Sequence, residues 1–126
     1  MADDDLSCPR RQVVIVEPFC GGSHGQLVAW LRALCPAATV LTLPAHKWHW
    51  RLRAGSLWAA EAIPPVADAA RPLTLFASSM LNLCELLGVR PDLHRARKVL
   101  YFHENQLAFP TRPRRSRATS TTAGRR

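Results

Sequence analysis

Four short apolar runs recur along this chain, and segments with helical spacing separate them. The runs are residues 12–17, 39–43, 73–77 and 98–102, and none alternates regularly between polar and apolar positions. Runs of this kind are typical of strands that are covered on both faces. Strands that alternate with helices form a parallel sheet with right-handed crossovers. The sequence therefore predicts an α/β fold with a Rossmann-like, doubly wound parallel sheet.

The helices are predicted from the spacing of apolar residues and from their end signals. Residues 25–34 carry three leucines and one valine at helical spacing, with Ser23 available as an N-cap. Residues 54–62 form a short helix that ends before two prolines. Residues 80–87 form a third helix, for which Gly88 is the expected C′ residue. The predicted order is β-α-β-α-β-α-β.

The positive charge is concentrated at the carboxyl-terminal end. Residues 1–110 carry 11 Lys or Arg against 9 Asp or Glu, whereas residues 111–126 carry six Arg and no acid. We therefore expect a loose N-terminus over residues 1–11, a Rossmann-like domain over residues 12–110 and a disordered tail over residues 111–126. The tail could bind RNA through phosphates, but we favour a solvated segment.

Cysteine usage and hydropathy predict an intracellular protein. The four cysteines (Cys8, Cys20, Cys35 and Cys84) form no CxxC pair, and the acidic residues after Met1 do not resemble a signal peptide. No apolar run approaches the roughly 18 residues that span a bilayer. We expect a cytoplasmic location, with the nucleus as an alternative, and no membrane partner.

Polar clusters follow each of the four predicted strands. In an open parallel sheet, ligands bind in the crevice outside the carboxyl ends of the strands. The sequence therefore predicts one ligand site built from clusters that are distant along the chain. In chain order the clusters are Gly21, Gly22, Ser23 and His24; His46, Lys47, Trp48, His49, Trp50 and Arg51; Ser78 and Ser79; and His103, Glu104, Asn105 and Gln106.

Two of these clusters have a functional and a structural interpretation. The glycine pair lets the backbone approach a phosphate or a sugar, or it only permits a tight turn. In the predicted loop over residues 46–51, tryptophans can stack on unpaired bases while cations hold phosphates, which suits single-stranded RNA. The alternative is a tryptophan packed into the core, and we expect one of Trp48 and Trp50 to be buried and the other available.

The polar run that begins at His103 is costly directly after a buried strand, unless its side chains bind a ligand or form a satisfied structural network. Both interpretations stay open. Metal binding is not predicted, because His46 and His49 have no third partner at ligand spacing.

Four segments resemble a known family in the same order along the chain. They are residues 16–28 (VEPFCGGSHGQLV), 43–51 (LPAHKWHWR), 75–83 (LFASSMLNL) and 99–107 (VLYFHENQL). They resemble the N-terminal domain of the tRNA-queuosine mannosyltransferases, which are similar to the family 4 retaining glycosyltransferases of GT-B fold. The resemblance runs from about residue 12 to Pro110.

The resemblance implies transfer of mannose from GDP-mannose to queuosine at the wobble position of a tRNA, with retention of anomeric configuration. It implies two partners, a queuosine-containing tRNA and a nucleotide sugar, with no metal and no cofactor beyond the donor substrate. In the GT-B fold the N-terminal domain mainly binds the acceptor, and the C-terminal domain holds the nucleotide sugar.

The resemblance also implies roles for individual residues. Gly21, Gly22 and Ser23 would approach the diphosphate or the sugar, and His103 would hydrogen-bond the transferring hexose. Glu104 is assigned with His103 to the catalytic set and would shape the acceptor side. The remaining substrate-binding candidates are His24, Lys47, Trp48, Trp50, Ser78, Ser79, Asn105 and Gln106.

After Pro110 the chain departs from the expected family pattern and continues into the Arg/Ser/Thr-rich tail. We therefore expect a truncated isoform or a partial gene model that is inactive alone. The alternative is a non-catalytic module that binds tRNA or a partner through residues 46–51 and the tail. A small nucleotide-binding regulator is a third hypothesis, which depends only on the glycine pair.

Overall fold

The computed structural model describes residues 11–66 and 71–103. Within these ranges the chain forms an α/β fold. Its elements are β1 (Gln12–Cys20), α1 (Gly22–Leu34), β2 (Thr39–Pro44), α2 (Trp48–Ala62), β3 (Leu73–Ser78), α3 (Leu83–Val89), a 3₁₀ helix (Pro91–Arg95) and β4 (Arg97–Tyr101).

The four strands form one parallel sheet in the order β2-β1-β3-β4. Val14 of β1 pairs with Thr39 of β2 on one side and with Leu75 of β3 on the other. Thr74 of β3 pairs with Arg97 of β4. The predicted Rossmann-like parallel sheet is therefore confirmed.

The main core lies between one face of the sheet and the helices α2 and α3. Val14 and Val16 of β1 are buried with Leu75 of β3 and Leu86 of α3 in one apolar cluster that also contains Ala59 of α2. Side chains alternate between the faces of a strand, so Ile15 and Glu17 of β1 point to the opposite face. Both of these residues are also buried.

The first helix starts earlier than predicted, and Ser23 is not its N-cap. Gly21 is the N-cap, with extended backbone and no side-chain capping bond. The backbone N–H of Gly25 donates to the Gly21 carbonyl at 3.2 Å, which closes the first turn. Gly22 follows with a φ of 54°, in the left-handed region that favours glycine. The glycines rather than the serine therefore set the start of α1.

The second helix also starts earlier, because Trp48, His49, Trp50 and Arg51 form its first turn rather than a loop. The backbone N–H groups of Trp50 and Arg51 donate to the Lys47 carbonyl at 2.9 and 3.2 Å. Lys47 caps this helix with a φ of 53° and no side-chain bond. A lysine in the left-handed region is not a recognised start signal, which explains why sequence patterns missed this turn.

The third helix starts later than predicted, at Leu83, and Gly88 lies inside it rather than at C′. Asn82 is the N-cap, and its side chain accepts a hydrogen bond from the Glu85 N–H at 3.2 Å. At the other end the Arg90 N–H donates to the Leu86 carbonyl at 2.9 Å. The helix continues past Gly88 to Val89, and the 3₁₀ helix begins at Pro91 after the C-cap residue Arg90.

Among the described residues, no helix is both long and apolar enough to cross a membrane. The thiols of Cys20, Cys35 and Cys84 are free. The fourth cysteine, Cys8, lies outside the described residues, as do the tail over residues 111–126 and the predicted domain end at Pro110.

Candidate functional site

The segments that follow β1, β3 and β4 lie side by side at the carboxyl edge of the sheet. The Ser79 N–H, just after β3, donates to the carbonyl of Tyr101 at the end of β4 at 2.8 Å. His24, in the first turn of α1, and His103, just after β4, have ring centroids 3.7 Å apart. Two predicted clusters from opposite ends of the described chain thus form one site.

β1 ends in an irregular segment that positions a carboxylate. The register between β1 and β2 shifts between Glu17 and Cys20, and the pairing of β1 with β3 ends at Val16. Pro18 is tolerated in this central strand because it falls where the ladder is interrupted. The Phe19 N–H donates to Oε1 of Glu17 at 3.0 Å. The Glu17 side chain thus accepts the hydrogen bond of a backbone group next to the bulge.

The second oxygen of the same carboxylate contacts His24. Oε2 of Glu17 lies 3.1 Å from Nδ1 of His24, and the two side chains are only 3% and 7% exposed. A buried carboxylate is stable only when its oxygens are hydrogen-bonded or paired with charge. The backbone N–H of Phe19 and the His24 ring meet that requirement for the two oxygens of Glu17.

Aromatic rings surround the two histidines. The planes of His24 and His103 are tilted by 31° at a centroid distance of 3.7 Å. Tyr101 approaches His103 in a T-shaped arrangement at 4.8 Å, and Phe19 approaches His24 in the same way at 6.1 Å. His103 is half-buried and its Nε2 is buried, so the ring is held by its neighbours.

Glu17, His24 and His103 together could supply metal ligands, since one ligand atom from each lies within 4.8 Å of the others. Two imidazoles that bind one ion at about 2.0–2.1 Å hold their ring centroids about 5 Å apart. The centroids here lie 3.7 Å apart, which fits stacked rings better than rings that converge on an ion. The prediction that the site holds no metal stays a prediction.

The glycine pair lies at the start of α1, next to this cluster. A Cβ on Gly21 would lie 2.4 Å from Cβ of Ala45, so the segments after β1 and β2 can touch only because residue 21 has no side chain. Gly22 faces open space, and Ser23 is exposed. The amino-terminal end of a helix offers backbone N–H groups and a positive dipole end to an anion.

The segment after β2 presents mainly exposed side chains. Trp50 is 65% exposed, and Lys47 is exposed as well. Trp48 is half-buried and meets the ring of His49 in a T-shaped contact at 5.1 Å. As predicted, Trp48 is more buried than Trp50, but Trp48 is not fully buried.

The two serines at the end of β3 differ in solvent exposure and in hydrogen bonding. Ser78 is 1% exposed, and its Oγ accepts a hydrogen bond from the Met80 N–H at 3.4 Å, so it shapes the turn. Ser79 is half-buried, and within the described ranges its Oγ is buried without a hydrogen-bond partner. Glu104, Asn105 and Gln106 lie outside the described residues.

Cys20 lies at the end of β1, close to the site. Burial raises the pKa of its thiol, the Glu17 carboxylate raises it further, and Arg32 opposes this effect. A raised pKa keeps the sulfur protonated at neutral pH, and a protonated thiol is a poor nucleophile. Cys20 is therefore unsuited to nucleophilic catalysis.

Glu17 is the site residue that sequence reasoning missed. The sequence pattern places it at the end of an apolar strand, whereas in the structure its carboxylate contacts a predicted site residue. The available signal was a charged residue inside a run predicted to be covered on both faces, because such a charge needs a partner.

The parallel sheet and the polar cluster at its carboxyl edge define a Rossmann-like α/β domain with a ligand site at the strand ends. Residues 12–124 match the family model described as tRNA-queuosine alpha-mannosyltransferase N-terminal, and the chain belongs to this family. The match continues beyond Pro110, where the resemblance was expected to end. The domain boundary at Pro110 stays a prediction.

A curated relative supports the same family. The chain is 50% identical over 109 residues to a protein of Drosophila melanogaster named tRNA-queuosine alpha-mannosyltransferase. The aligned region covers 85% of this chain and 28% of the relative. No solved structure matches the chain.

Proposed function

We propose that this chain contributes the acceptor-side domain of a mannosyltransferase that transfers mannose from GDP-mannose to queuosine in tRNA. The observation that carries the proposal is the cluster at the carboxyl edge, where His24 and His103 stack beside the amino-terminal end of α1. Membership in the queuosine mannosyltransferase family supports the sugar and the acceptor. We propose a cytoplasmic location for this activity, with the nucleus as the alternative.

The reaction requires a group that stabilises the sugar while the bond between the sugar and the diphosphate breaks. The hexose becomes oxocarbenium-like in that transition state. His103 is held in place by neighbouring rings at the carboxyl edge of the sheet, close to the amino-terminal end of α1. A hydrogen-bonding side chain fixed in this way stabilises the transition state at little reorganisation cost. We assign this role to His103, with Gly21 and Gly22 near the phosphates or the sugar and Glu104 beside the acceptor.

The acceptor side is assigned to the start of α2. Trp50 is exposed and can stack on an unpaired base, while the exposed Lys47 beside it can contact phosphate. The second wall of a GT-B cleft holds the nucleotide sugar and needs no metal when helix dipoles and basic side chains neutralise the diphosphate. Retention of the anomeric configuration is part of the same proposal.

The test uses two preparations, because the chain spans 28% of the length of its relative. One is the chain itself, and the other is a chimera in which residues 12–124 replace the matching segment of the Drosophila relative. Each is incubated with GDP-mannose and queuosine-containing tRNA, and the nucleosides are examined by mass spectrometry for the addition of one hexose. We expect product from the chimera and only tRNA binding from the chain alone.

The matched control is the same tRNA without queuosine, which should gain no hexose. A chimera that gives no product while the unmodified relative does would overturn the proposal for these residues. Salt-sensitive retention of tRNA by the chain, without product from either preparation, would instead support the non-catalytic binding module.

A further inference from the structure

The proposed function leaves the role of Glu17 open. Its side chain is 3% exposed, and it lies in a central strand where an apolar residue would avoid the cost of burying a charge. Its two oxygens have separate partners, the Phe19 N–H at 3.0 Å and Nδ1 of His24 at 3.1 Å. The arrangement therefore directs one oxygen towards the backbone and the other towards a histidine of the site.

The contact between Glu17 and His24 sets the protonation of one ring nitrogen. An ionised carboxylate can only accept hydrogen bonds, so Nδ1 of His24 must carry a proton to bond with Oε2. The partner of one ring nitrogen determines which tautomer a histidine adopts and how its ring is oriented. Glu17 thus fixes both properties of His24.

The position of the His103 ring depends directly on the orientation of the His24 ring. The two rings are 3.7 Å apart with a tilt of 31°, so a rotation of the His24 plane would displace the His103 ring. Tyr101 holds His103 in a T-shaped contact at 4.8 Å. A carboxylate, a histidine and a second histidine thus form a continuous chain of contacts from β1 to the segment after β4.

We propose that Glu17 is a positioning residue, which acts through His24 to hold the His103 ring at the carboxyl edge of the sheet. The proposal depends on the proposed function only for what His103 contacts. The coupling between Glu17, His24 and His103 can be measured in the 126-residue chain without any substrate. Failure of the coupling and failure of the mannosyltransferase activity are therefore separate results.

The first measurement is ¹⁵N NMR of the imidazole nitrogens in the unsubstituted chain, at a pH above the usual histidine titration near about 6.5. We expect Nδ1 of His24 to carry a proton. We also expect a cross-relaxation signal between the ring protons of His24 and His103. This step needs no variant, so a substitution that fails to fold cannot prevent it. A deprotonated Nδ1 on His24 would overturn the proposal.

The second measurement is the same spectrum of Glu17→Gln, which is nearly isosteric. The Phe19 N–H can only donate, so the amide oxygen of the new side chain should face it and the NH₂ group should face His24. Nδ1 of His24 must then accept, and its proton moves to Nε2.

The matched control is Glu61→Gln, which changes an exposed carboxylate on α2. It should leave the nitrogen shifts of His24 and His103 unchanged. An unchanged Nδ1 state in Glu17→Gln would overturn the proposal. So would stoichiometric Zn²⁺ binding that both Glu17→Gln and His103→Ala abolish, because the three residues would then be ligands rather than a positioning chain.

The third measurement applies to the chimera once it transfers hexose. Glu17→Gln should lower kcat by about 10²-fold, the loss expected from misplacement of a catalytic group by about 1 Å, with the KM for tRNA unchanged. In a His103→Ala background the same substitution should add less than a twofold loss. If the losses in kcat of the two single variants multiply in the double variant, the proposal is overturned, because Glu17 then acts independently of His103.

Discussion

Glycine at position 21 is required by space rather than by backbone angle. Its φ is −170°, which any residue adopts, but its missing Cβ leaves room for Cβ of Ala45. Gly21→Ala should therefore force the segments after β1 and β2 apart. We expect a loss of about 1–3 kcal/mol in the free energy of unfolding, the usual cost of overpacking, measured by denaturant titration.

The control for this prediction is Gly88→Ala. An added Cβ at Gly88 meets nothing within 4 Å, and the residue lies inside α3. Alanine is favoured over glycine in a helix by about 0.8–1.0 kcal/mol, so this variant should gain stability. Equal losses in both variants would show that the contact with Ala45 is not what requires glycine.

His103 and Trp50 should affect different kinetic parameters in the active chimera. His103→Ala should lower kcat by about 10²–10³-fold, because a preorganised hydrogen bond in the transition state is lost. Trp50→Ala should raise the KM for tRNA with little change in kcat, because stacking on an unpaired base stabilises the ground and transition states alike. Steady-state kinetics with varied tRNA measure both effects.

Trp30 provides the matched control for Trp50, since it is 59% exposed and lies on α1 instead of α2. Trp30→Ala should leave the KM for tRNA unchanged. An unaffected kcat in His103→Ala would contradict the catalytic assignment and leave the histidine with a structural role.

At the scale of elements, one arginine joins the end of α2 to the segment after α3. Nη1 of Arg90 donates to the carbonyls of Ala60 and Ile63, both at 2.7 Å, and Nη2 donates to the Pro64 carbonyl at 3.1 Å. The positive charge satisfies carbonyls that a helix end leaves open and complements its dipole. The side chain also pairs with Asp92 at 2.7 Å.

Arg90→Ala should destabilise the fold by about 2 kcal/mol, within the range for hydrogen bonds to a charged group. Thermal and denaturant unfolding measure the change. Arg53→Ala is the control, because Arg53 is an exposed arginine on α2 itself and its loss should change stability by less than about 0.5 kcal/mol. Equal effects of the two substitutions would contradict the role of Arg90.

The same pair predicts a pH dependence. The hydrogen bond from Arg90 lowers the pKa of Asp92 from 3.8 to about 2. The folded state therefore binds its proton more weakly than the unfolded state, so the contribution of Asp92 to stability is present above about pH 3.8 and is lost as the pH falls towards 2. Because this carboxylate is partly exposed, solvent screening limits the size of its contribution to stability.

Asp92→Asn should remove this contribution. The melting temperatures of the parent and the variant should differ most near neutral pH and converge below the pKa of the folded state. A difference that stays constant from pH 2 to pH 5 would contradict the prediction, because only a titrating group produces convergence.

At the scale of the whole molecule, the extent of the domain is the main open structural prediction. If the domain ends at Pro110, deletion of residues 111–126 should change the free energy of unfolding by less than about 1 kcal/mol, since no packed segment is removed. The family match to residue 124 is the reason to test this boundary. A larger loss, measured by denaturant titration, would show that the final segment packs on the domain.

The order of strands and helices was predictable because it depends on local patterns. Runs of apolar residues and helical spacing are properties of neighbouring positions, so they predict the four strands and three α-helices in the order that the structure shows. The ends of the helices were less predictable. Lys47 starts α2 from a left-handed conformation, and Gly88 continues α3 where a stop was expected.

The sequence by itself determined the fold class, the parallel sheet, the family and the polar clusters that follow the strands. Only the tertiary structure decided that His24 stacks on His103 and that Glu17 supports them from inside a central strand. The physical reason is that these contacts join elements far apart along the chain. Their geometry depends on the strand order, on the bulge after Glu17 and on the close approach at Gly21, none of which is a property of neighbouring residues.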